Sequence, residues 1–239
     1  MYEASITGHW EAAKLILDKR LELVRFAITE NFDTTLHVAT SAQETKSTEN
    51  FVDNLVNMMD TEDLQLQNKN FNTAFCLAAA AGNIKMVEIM LKKNPSLLTI
   101  PGSQGMMPLH MSALYGKYET IKYLYDASEN LTNNGWNSEN RCWILHKCLQ
   151  GDFFGNIFSL NITKSLHFNF NYIGSLICGS FIDIAIRIVT HHPELAKNGT
   201  VLGLLAQKPY AFNGVQKISL HTRIRNSSNH YIYRCHVIK

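Results

Sequence analysis

The amino-acid sequence predicts an all-α fold, a solenoid of stacked helix-turn-helix units joined by short extended loops, here called fingers. The main observation is one pattern that occurs twice between Asn72 and Tyr125: an apolar helix start, a glycine, and a second apolar helix. The equivalent residues Phe75 and Leu109 lie 34 residues apart in the sequence. Self-similarity at a period of about 20 to 50 residues is typical of stacked repeats. The second observation is that weaker copies of the pattern lie on both sides.

Glycines divide each unit into two helices. Gly8, Gly82 and Gly116 each follow a small residue by four positions, in what we interpret as the first, third and fourth copies. Glycine adopts the left-handed backbone that ends a helix and lets the chain reverse into an antiparallel one. The first copy, at 1–19, begins partway through the first helix of the pattern.

The second copy begins at Thr34 and is longer than the others. Leu36 and Phe75 are separated by 39 residues. The polar stretch 41–50 predicts a loop insertion there, followed by a second helix over 51–59 with its apolar residues on one face. Across all copies, the residues expected in the core are Leu15, Leu36, Leu77, Val87, Leu91, Leu109, Ile121 and Leu124.

The fifth copy, which starts near Leu145, is interrupted. If residues 155–182 are removed, Phe154 joins Asp183 and the string matches the second helix of the fourth copy. We therefore divide the chain into repeats at 1–154 (about four plus a partial fifth), an insertion at 155–182, the rest of the fifth repeat and a degenerate last copy at 183–212, and an irregular basic tail at 213–239. The insertion is hypothesised to be translated intron sequence, which sequencing of transcripts would test.

Composition and charge narrow the possible functions. The chain has 239 residues, 46% of them hydrophobic, and a net charge of +2, which gives no general argument for binding nucleic acid. Its five cysteines are odd in number and lack C-x-x-C spacing, as expected for free thiols in an intracellular, reducing compartment. The apolar run 172–182 is shorter than the roughly 20 residues that a membrane span needs.

The sequence predicts neither a catalytic site nor a metal site. The sequence has no G-x-S-x-G, no P-loop and no G-x-G-x-x-G. His37, His110 and His146 recur at the repeat register, which favours a structural role. Cys142 and Cys148 flank His146, but they lack the paired spacing of a tetrahedral zinc site. We therefore expect a non-catalytic binding protein with no cofactor and no metal.

The repeated pattern T-x-L-H-x-A, then glycine, then V-x-x-L-L, resembles the ankyrin repeat, most clearly at 34–39, 73–91 and 107–125. The opening Tyr2-Glu3-Ala4, the linker His191-His192-Pro193 and the ending Gln207-Lys208-Pro209 are similar to plant ankyrin proteins that carry a membrane-spanning PGG domain. That resemblance implies a protein partner, a role in stress or defence signalling, and the cytosolic face of the plasma membrane. Membrane attachment would come only through a PGG-type domain, whose apolar helices are absent from this chain, so a cytoplasmic location also stays open.

Two alternatives also remain open at this stage. The chain could be the regulatory ankyrin module of an enzyme whose catalytic part is missing. It could also be a non-functional, truncated gene product, because the insertion interrupts a repeat. Resistance of the chain to proteases would separate this second alternative from a folded module.

The fingers supply the candidate binding residues, because stacked repeats present an extended concave surface that fingers and inner helices line. Phe32 and Phe71 stand where the resembled family often has glycine, which Gly105 retains. Cys76 and Met107 replace the His and Thr that the resemblance assigns to local hydrogen bonds at the start of the first helix. The two phenylalanines could contact a protein partner or pack locally between fingers. The full candidate set is Asn31, Phe32, Asn68, Lys69, Asn70, Phe71, Gln104, Gly105 and Met106.

Overall fold

The computed structural model describes residues 1–132, 135–150, 181–197 and 199. The chain divides into two compact units, Met1–Lys147 and Cys148–Lys239. The first unit contains the helices α1 (Tyr2–Thr7), α2 (Trp10–Leu17), α3 (Thr35–Ser41), α4 (Lys46–Met58), α5 (Ala74–Ala81), α6 (Ile84–Lys93), α7 (Pro108–Leu114), α8 (Tyr118–Ala127) and α9 (Ser138–Gln150). The last residues of α9 belong to the second unit.

The helices of the first unit form two layers. In the inner layer α1 packs on α3, α3 on α5, and α5 on α7. In the outer layer α2 packs on α4, α4 on α6, and α6 on α8. The predicted all-α stack of helix-turn-helix units is confirmed.

Glycine ends the inner helices as the sequence predicts. Gly8 and Gly82 follow α1 and α5 with φ of 71° and 87°. The amide of Gly82 and that of Asn83 both donate to the carbonyl of Ala78, at 3.0 Å each. This pairing satisfies a carbonyl that the end of the helix would otherwise leave open.

In the described part of the first unit, three hairpin-like fingers connect successive helix-turn-helix repeats: the first finger is 27–34, the second is 67–73 and the third is 102–106. Isolated antiparallel bridges close the first two, between Ala27 and Thr34 and between Gln67 and Thr73. In the third finger the amide of Gly102 donates to the carbonyl of Met106 at 2.8 Å. Each finger leads directly into an inner helix, so the packed helices fix the order of the fingers.

The predicted core is correct except at two positions. Leu36, Val87, Leu91, Leu109, Ile121 and Leu124 are buried. Leu15, in contrast, is 68% exposed. When Gly8 is aligned with Gly82, Leu15 corresponds to the partly exposed Ile89, whereas Ala13 and Leu17 take the buried places of Val87 and Leu91. Leu77 is only half-buried, although the equivalent residues Val38 and Met111 are buried.

The loop predicted at 41–50 is mostly helix. Helix α4 begins at Lys46, five residues before the predicted start, and only 42–45 form a connection. The Thr45 side chain accepts a hydrogen bond from the amide of Thr48 at 3.1 Å, and Thr48 Oγ1 accepts one from the amide of Thr45 at 2.9 Å. This reciprocal cap starts the helix early, and the extra residues lengthen its first turns.

The second unit contains α10 (Phe181–His191) and a 3-10 turn over Pro193–Lys197. Ile184 and Ile188 of α10 are buried. The predicted insertion lies outside the described residues, apart from its last two positions, which begin α10. The degenerate last copy, apart from residue 199, and the basic tail also lie outside them, so the proposed domain boundaries stay predictions. Among the described helices, none is both long enough and apolar enough to cross a bilayer.

Candidate functional site

The tips of the three fingers share a turn that ends in a left-handed residue. The amides of Phe32, Phe71 and Gly105 donate to the carbonyl three residues earlier, at 3.1, 2.9 and 3.1 Å. All three residues have left-handed backbones, with φ of 60°, 61° and 71°. A tight turn that ends in a left-handed residue is a common hairpin connection, and glycine is preferred at its last position. The sequence alignment of Phe32 and Phe71 with a glycine position therefore corresponds to a real conformational requirement.

The two phenylalanines are strained and exposed. A bulky residue with positive φ is a genuine outlier, and such a conformation costs on the order of 1–3 kcal/mol. Phe32 is 59% exposed and Phe71 is 67% exposed, so most of each ring faces solvent. Local packing of these rings between the fingers would bury more of their surface. The strain is therefore not offset by burial of the rings within the chain.

The other candidate residues differ in exposure. Lys69, Asn70, Gln104 and Gly105 are exposed, while Asn31 and Met106 are partly exposed. Gln104 also has a left-handed backbone, with φ of 56°. Asn68 is the exception, because it is only 6% exposed and its side chain bonds within the finger layer. Apart from Asn68, the candidate set is therefore at least partly accessible to solvent.

A hydrogen-bond network links the first and second fingers. Asn68 Nδ2 donates to Asp33 Oδ1 at 2.8 Å, and the amide of Lys69 donates to the carbonyl of Asn31 at 2.8 Å. Asn70 Nδ2 also lies 3.3 Å from Asn31 Oδ1. These contacts join the tips of the two fingers, and the bonded residues lie close to Phe32 and Phe71 in the sequence.

The network continues into the third finger. Asn68 Oδ1 accepts the amides of Asn70 and Asn72, at 3.0 Å each. Asn72 Oδ1 in turn accepts the amide of Ser103 at 2.8 Å. We call the connected residues Asp33, Asn68, Asn72 and Ser103 the finger ladder. It is a continuous polar chain across three fingers, and its two asparagines are buried.

His37 ties the inner helix of one repeat to the finger of the next. Its Nδ1 accepts the amide of Thr34 at 3.3 Å and lies 2.8 Å from Thr34 Oγ1. Because a backbone amide can only donate, the ring proton is on Nε2, which donates to the carbonyl of Asn72 at 3.0 Å. Burial lowers the pKa of His37, since the charged form loses its hydration. The structural role predicted for this histidine is confirmed.

His110 repeats the arrangement one copy later. The amide of Met107 donates to its Nδ1 at 3.0 Å, and Nε2 lies 3.2 Å from the carbonyl of Asn140. The ring stacks on Trp136 and meets Trp143 edge-on, each at 5.1 Å between centroids. Burial lowers the pKa of His110 to about 4. Trp136 is thus a core residue.

His146 and Cys76 depart from this arrangement. Nε2 of His146 is buried without a hydrogen-bond partner among the described residues. Cys76 replaces the histidine of the third copy, and its Sγ lies 3.9 Å from the carbonyl of Ile100. Thr73 still caps the helix by accepting the amide of Cys76 at 3.1 Å. Cys76 therefore makes only a weak contact with the chain before the third finger. The hydrogen bond between Asn72 and Ser103 connects the second finger to the third instead.

The finger ladder was not predicted from the sequence, although a signal was present. Asp33 and Asn72 each stand immediately before the threonine that starts an inner helix, and Thr29 and Asn68 each start a finger turn. Thr29 Oγ1 accepts the amide of Asp33 at 3.0 Å, just as Asn68 Oδ1 accepts that of Asn72. Polar side chains at both positions of successive copies would have indicated that the fingers bond to each other.

Comparison with known proteins agrees with this architecture. Residues 36–135 match the family described as ankyrin repeats, in three copies. The chain is also similar to a putative ankyrin repeat protein of Rickettsia bellii (strain RML369-C), with 27% identity over 99 residues. That similarity covers 41% of this chain and 58% of the relative. Three ankyrin repeats are therefore detected within residues 36–135, and the region matched in the relative spans somewhat over half of its length.

Proposed function

We propose that this chain is a non-catalytic protein-binding module that contacts its partner through the tips of the first and second fingers. Ankyrin repeats imply protein–protein interaction, which is the coarse part of the assignment. The finer part, the location of the contact, is supported by one observation above others. Two large aromatic residues hold a left-handed position that glycine would occupy without strain, and both rings face solvent. Strained residues that no internal contact explains are candidates for function.

The chemistry of the tips fits a protein partner. Phenylalanine supplies a large apolar contact area, and buried aromatic anchors dominate many protein interfaces. The exposed polar residues of the fingers include two amides, one ammonium group and one carboxylate, from Asn70, Gln104, Lys69 and Glu30. Such a surface offers apolar anchors with a polar rim and little net charge. It is poorly suited to nucleic acid, whose recognition needs clustered positive charge.

Selection from a phage-displayed peptide library on the full chain provides a probe for this proposal. We expect selected peptides to bind the wild-type chain and to lose at least about tenfold in affinity when Phe32→Asn and Phe71→Asn are combined, a difference of roughly 1.4 kcal/mol. Asparagine tolerates the left-handed backbone, so the finger conformation should survive the change. Isothermal titration calorimetry or surface plasmon resonance would measure the affinities.

Leu15→Asn is the matched control. Leu15 is as exposed as Phe71 but lies on the outer helix α2, away from the fingers. Its substitution should leave the affinity unchanged. Equal losses from both variants, or no loss from the double phenylalanine variant, would contradict the proposed site.

We further propose, from the resemblance to plant ankyrin proteins, that this module acts in stress or defence signalling at the cytosolic face of a membrane. The support is the sequence similarity at the opening, the His191-His192-Pro193 linker and the Gln207-Lys208-Pro209 ending. The gene sequence beyond Lys239 tests this placement. Four apolar helices encoded there would support it, and an encoded catalytic domain would favour a regulatory module of an enzyme.

A further inference from the structure

We infer that Asn68 is a positioning residue, which acts through the finger ladder to hold the Phe32 and Phe71 tips in a fixed relation. The three fingers then present one rigid surface rather than three independent loops. This inference rests on the proposed function, because it assigns a role to the ladder in partner binding. Asn68 is too buried to touch a partner itself, so its effect must pass through its hydrogen-bond partners.

The two polar atoms of the Asn68 side chain have separate tasks. Oδ1 acts within the second finger, where it accepts the amides of Asn70 and Asn72 and shapes the turn. Nδ2 acts between fingers, where it donates to Asp33 Oδ1 at 2.8 Å. Asp33 is itself held by Thr29 Oγ1 at 2.9 Å and by Asn31 Nδ2 at 3.2 Å. The inter-finger bond therefore joins two turns that are each already ordered.

Rigid presentation matters because each tip alone is a short loop. A partner that contacts both rings must find them at a fixed separation, and ordering two mobile loops on binding would weaken the complex. The packed helices set the order of the fingers at their bases, but only contacts nearer the tips can fix the tips themselves. Asn68–Asp33 and Lys69–Asn31 are such contacts, and both lie within four residues of a ring.

The substitution Asn68→Asp separates the two tasks. A carboxylate at position 68 still accepts the amides of Asn70 and Asn72, but it loses the Nδ2 donor and faces the carboxylate of Asp33. The swapped pair Asp33→Asn with Asn68→Asp restores the hydrogen bond with its direction reversed. Position 33 then supplies the donor and position 68 the acceptor. The side-chain amide that the swapped pair places at position 33 keeps one oxygen for Thr29 Oγ1. The pair should therefore rescue the inter-finger bond.

Hydrogen–deuterium exchange on the free, full chain provides the first readout. The amide of Lys69 bonds to Asn31 across the fingers, so it reports inter-finger contact directly. We expect Asn68→Asp to speed its exchange by about tenfold or more, with amides inside α5 unchanged, and the swapped pair to return it to within about threefold of wild type. Unchanged exchange in Asn68→Asp, or no rescue by the swapped pair, would overturn the inference.

The second readout is affinity for the library-selected peptide. We expect about a fivefold loss in Asn68→Asp and recovery in the swapped pair, since one charge-assisted bond is lost and regained. If exchange responds while affinity stays unchanged, the ladder does not position the binding surface and the inference is wrong. Failure of the proposed function is a different outcome, because it is defined by the Phe32 and Phe71 variants and leaves the exchange result of the free chain unaffected.

Discussion

At the residue scale, two buried histidines connect neighbouring repeats through hydrogen bonds. His37 and His110 each use Nδ1 to accept an amide at the helix start and Nε2 to reach a carbonyl of the next repeat. Both roles require the neutral ring with its proton on Nε2. Protonation of Nδ1 would convert an acceptor into a donor that faces another donor. Burial lowers the pKa of each residue, because the charged ring loses its hydration.

This arrangement predicts a loss of stability in acid. A histidine whose folded-state pKa lies below its unfolded value contributes stability that is complete above about pH 6.5 and falls as the pH drops. For His110 the loss should extend down to about pH 4, where the folded state also takes up the proton. The expected contribution is roughly 3 kcal/mol at its greatest. Urea unfolding between pH 7 and pH 4 would measure it.

His110→Gln provides the control for this acid sensitivity. Glutamine does not titrate, so the variant should be less stable than wild type at pH 7 but should lose less on acidification. Carboxylates contribute a background below about pH 5, which the comparison of the two proteins removes. If the free energy of unfolding has the same pH dependence in both proteins, His110 does not control stability in acid.

At the element scale, two glycines with left-handed backbones are constrained in different ways: Gly8 ends α1, and Gly105 lies at the tip of the third finger. Gly8 and Gly105 have the same φ of 71°. A Cβ at Gly8 would lie 2.4 Å from the Ser47 carbonyl carbon and 2.5 Å from the Thr48 nitrogen, both backbone atoms near the start of α4. A Cβ at Gly105 would have no heavy atom within 4 Å. Gly8 is therefore required by close approach as well as by backbone conformation.

The pair gives a direct prediction for alanine substitution. Gly105→Ala should cost about 1 kcal/mol, the strain of a left-handed alanine. Gly8→Ala should cost at least twice that, because α4 must also shift away from α1. Thermal or urea unfolding of the two variants would compare them. Similar losses would mean that the contact between α1 and α4 yields at little cost.

Much of the element-scale structure is predictable from the sequence, and the failures have local causes. The repeat register placed the inner helices, the helix-ending glycines and most of the core, because glycine and apolar residues at fixed spacing have few alternatives. It failed at Lys46–Asn50, where the reciprocal Thr45–Thr48 cap turned a polar stretch into helix. It failed at Leu15, where counting from Gly8 would have given the exposed position.

The candidate site was predictable only in part. The alignment of Phe32 and Phe71 with a glycine position marked both tips as unusual from sequence alone. Their exposure depends on how neighbouring fingers pack, which no local pattern specifies. The ladder depends on side-chain distances between residues 35 positions apart, as with Asp33 and Asn68. Register can suggest such a contact, but only the stacked structure gives its geometry.

At the scale of the whole molecule, the stack is a scaffold whose stability and function are partly opposed. Each repeat contacts mainly its neighbours, so the fingers can vary without disturbing the helices. Strain at the tips of two fingers lowers the stability of the stack slightly, while the exposed rings offer a partner two apolar anchors. A glycine at each position would give a more stable protein without those anchors.

The double substitution Phe32→Gly and Phe71→Gly tests this account most directly. Removing two left-handed aromatic residues should stabilise the chain by about 1 kcal/mol per site, after allowance for the greater freedom of glycine in the unfolded state. In a chain of this size we expect the melting temperature to rise by roughly 2–4 °C for each kcal/mol. The same variant should lose affinity for the library-selected peptide. A rise in melting temperature with loss of binding is the predicted result, and a fall in melting temperature with binding retained would contradict it.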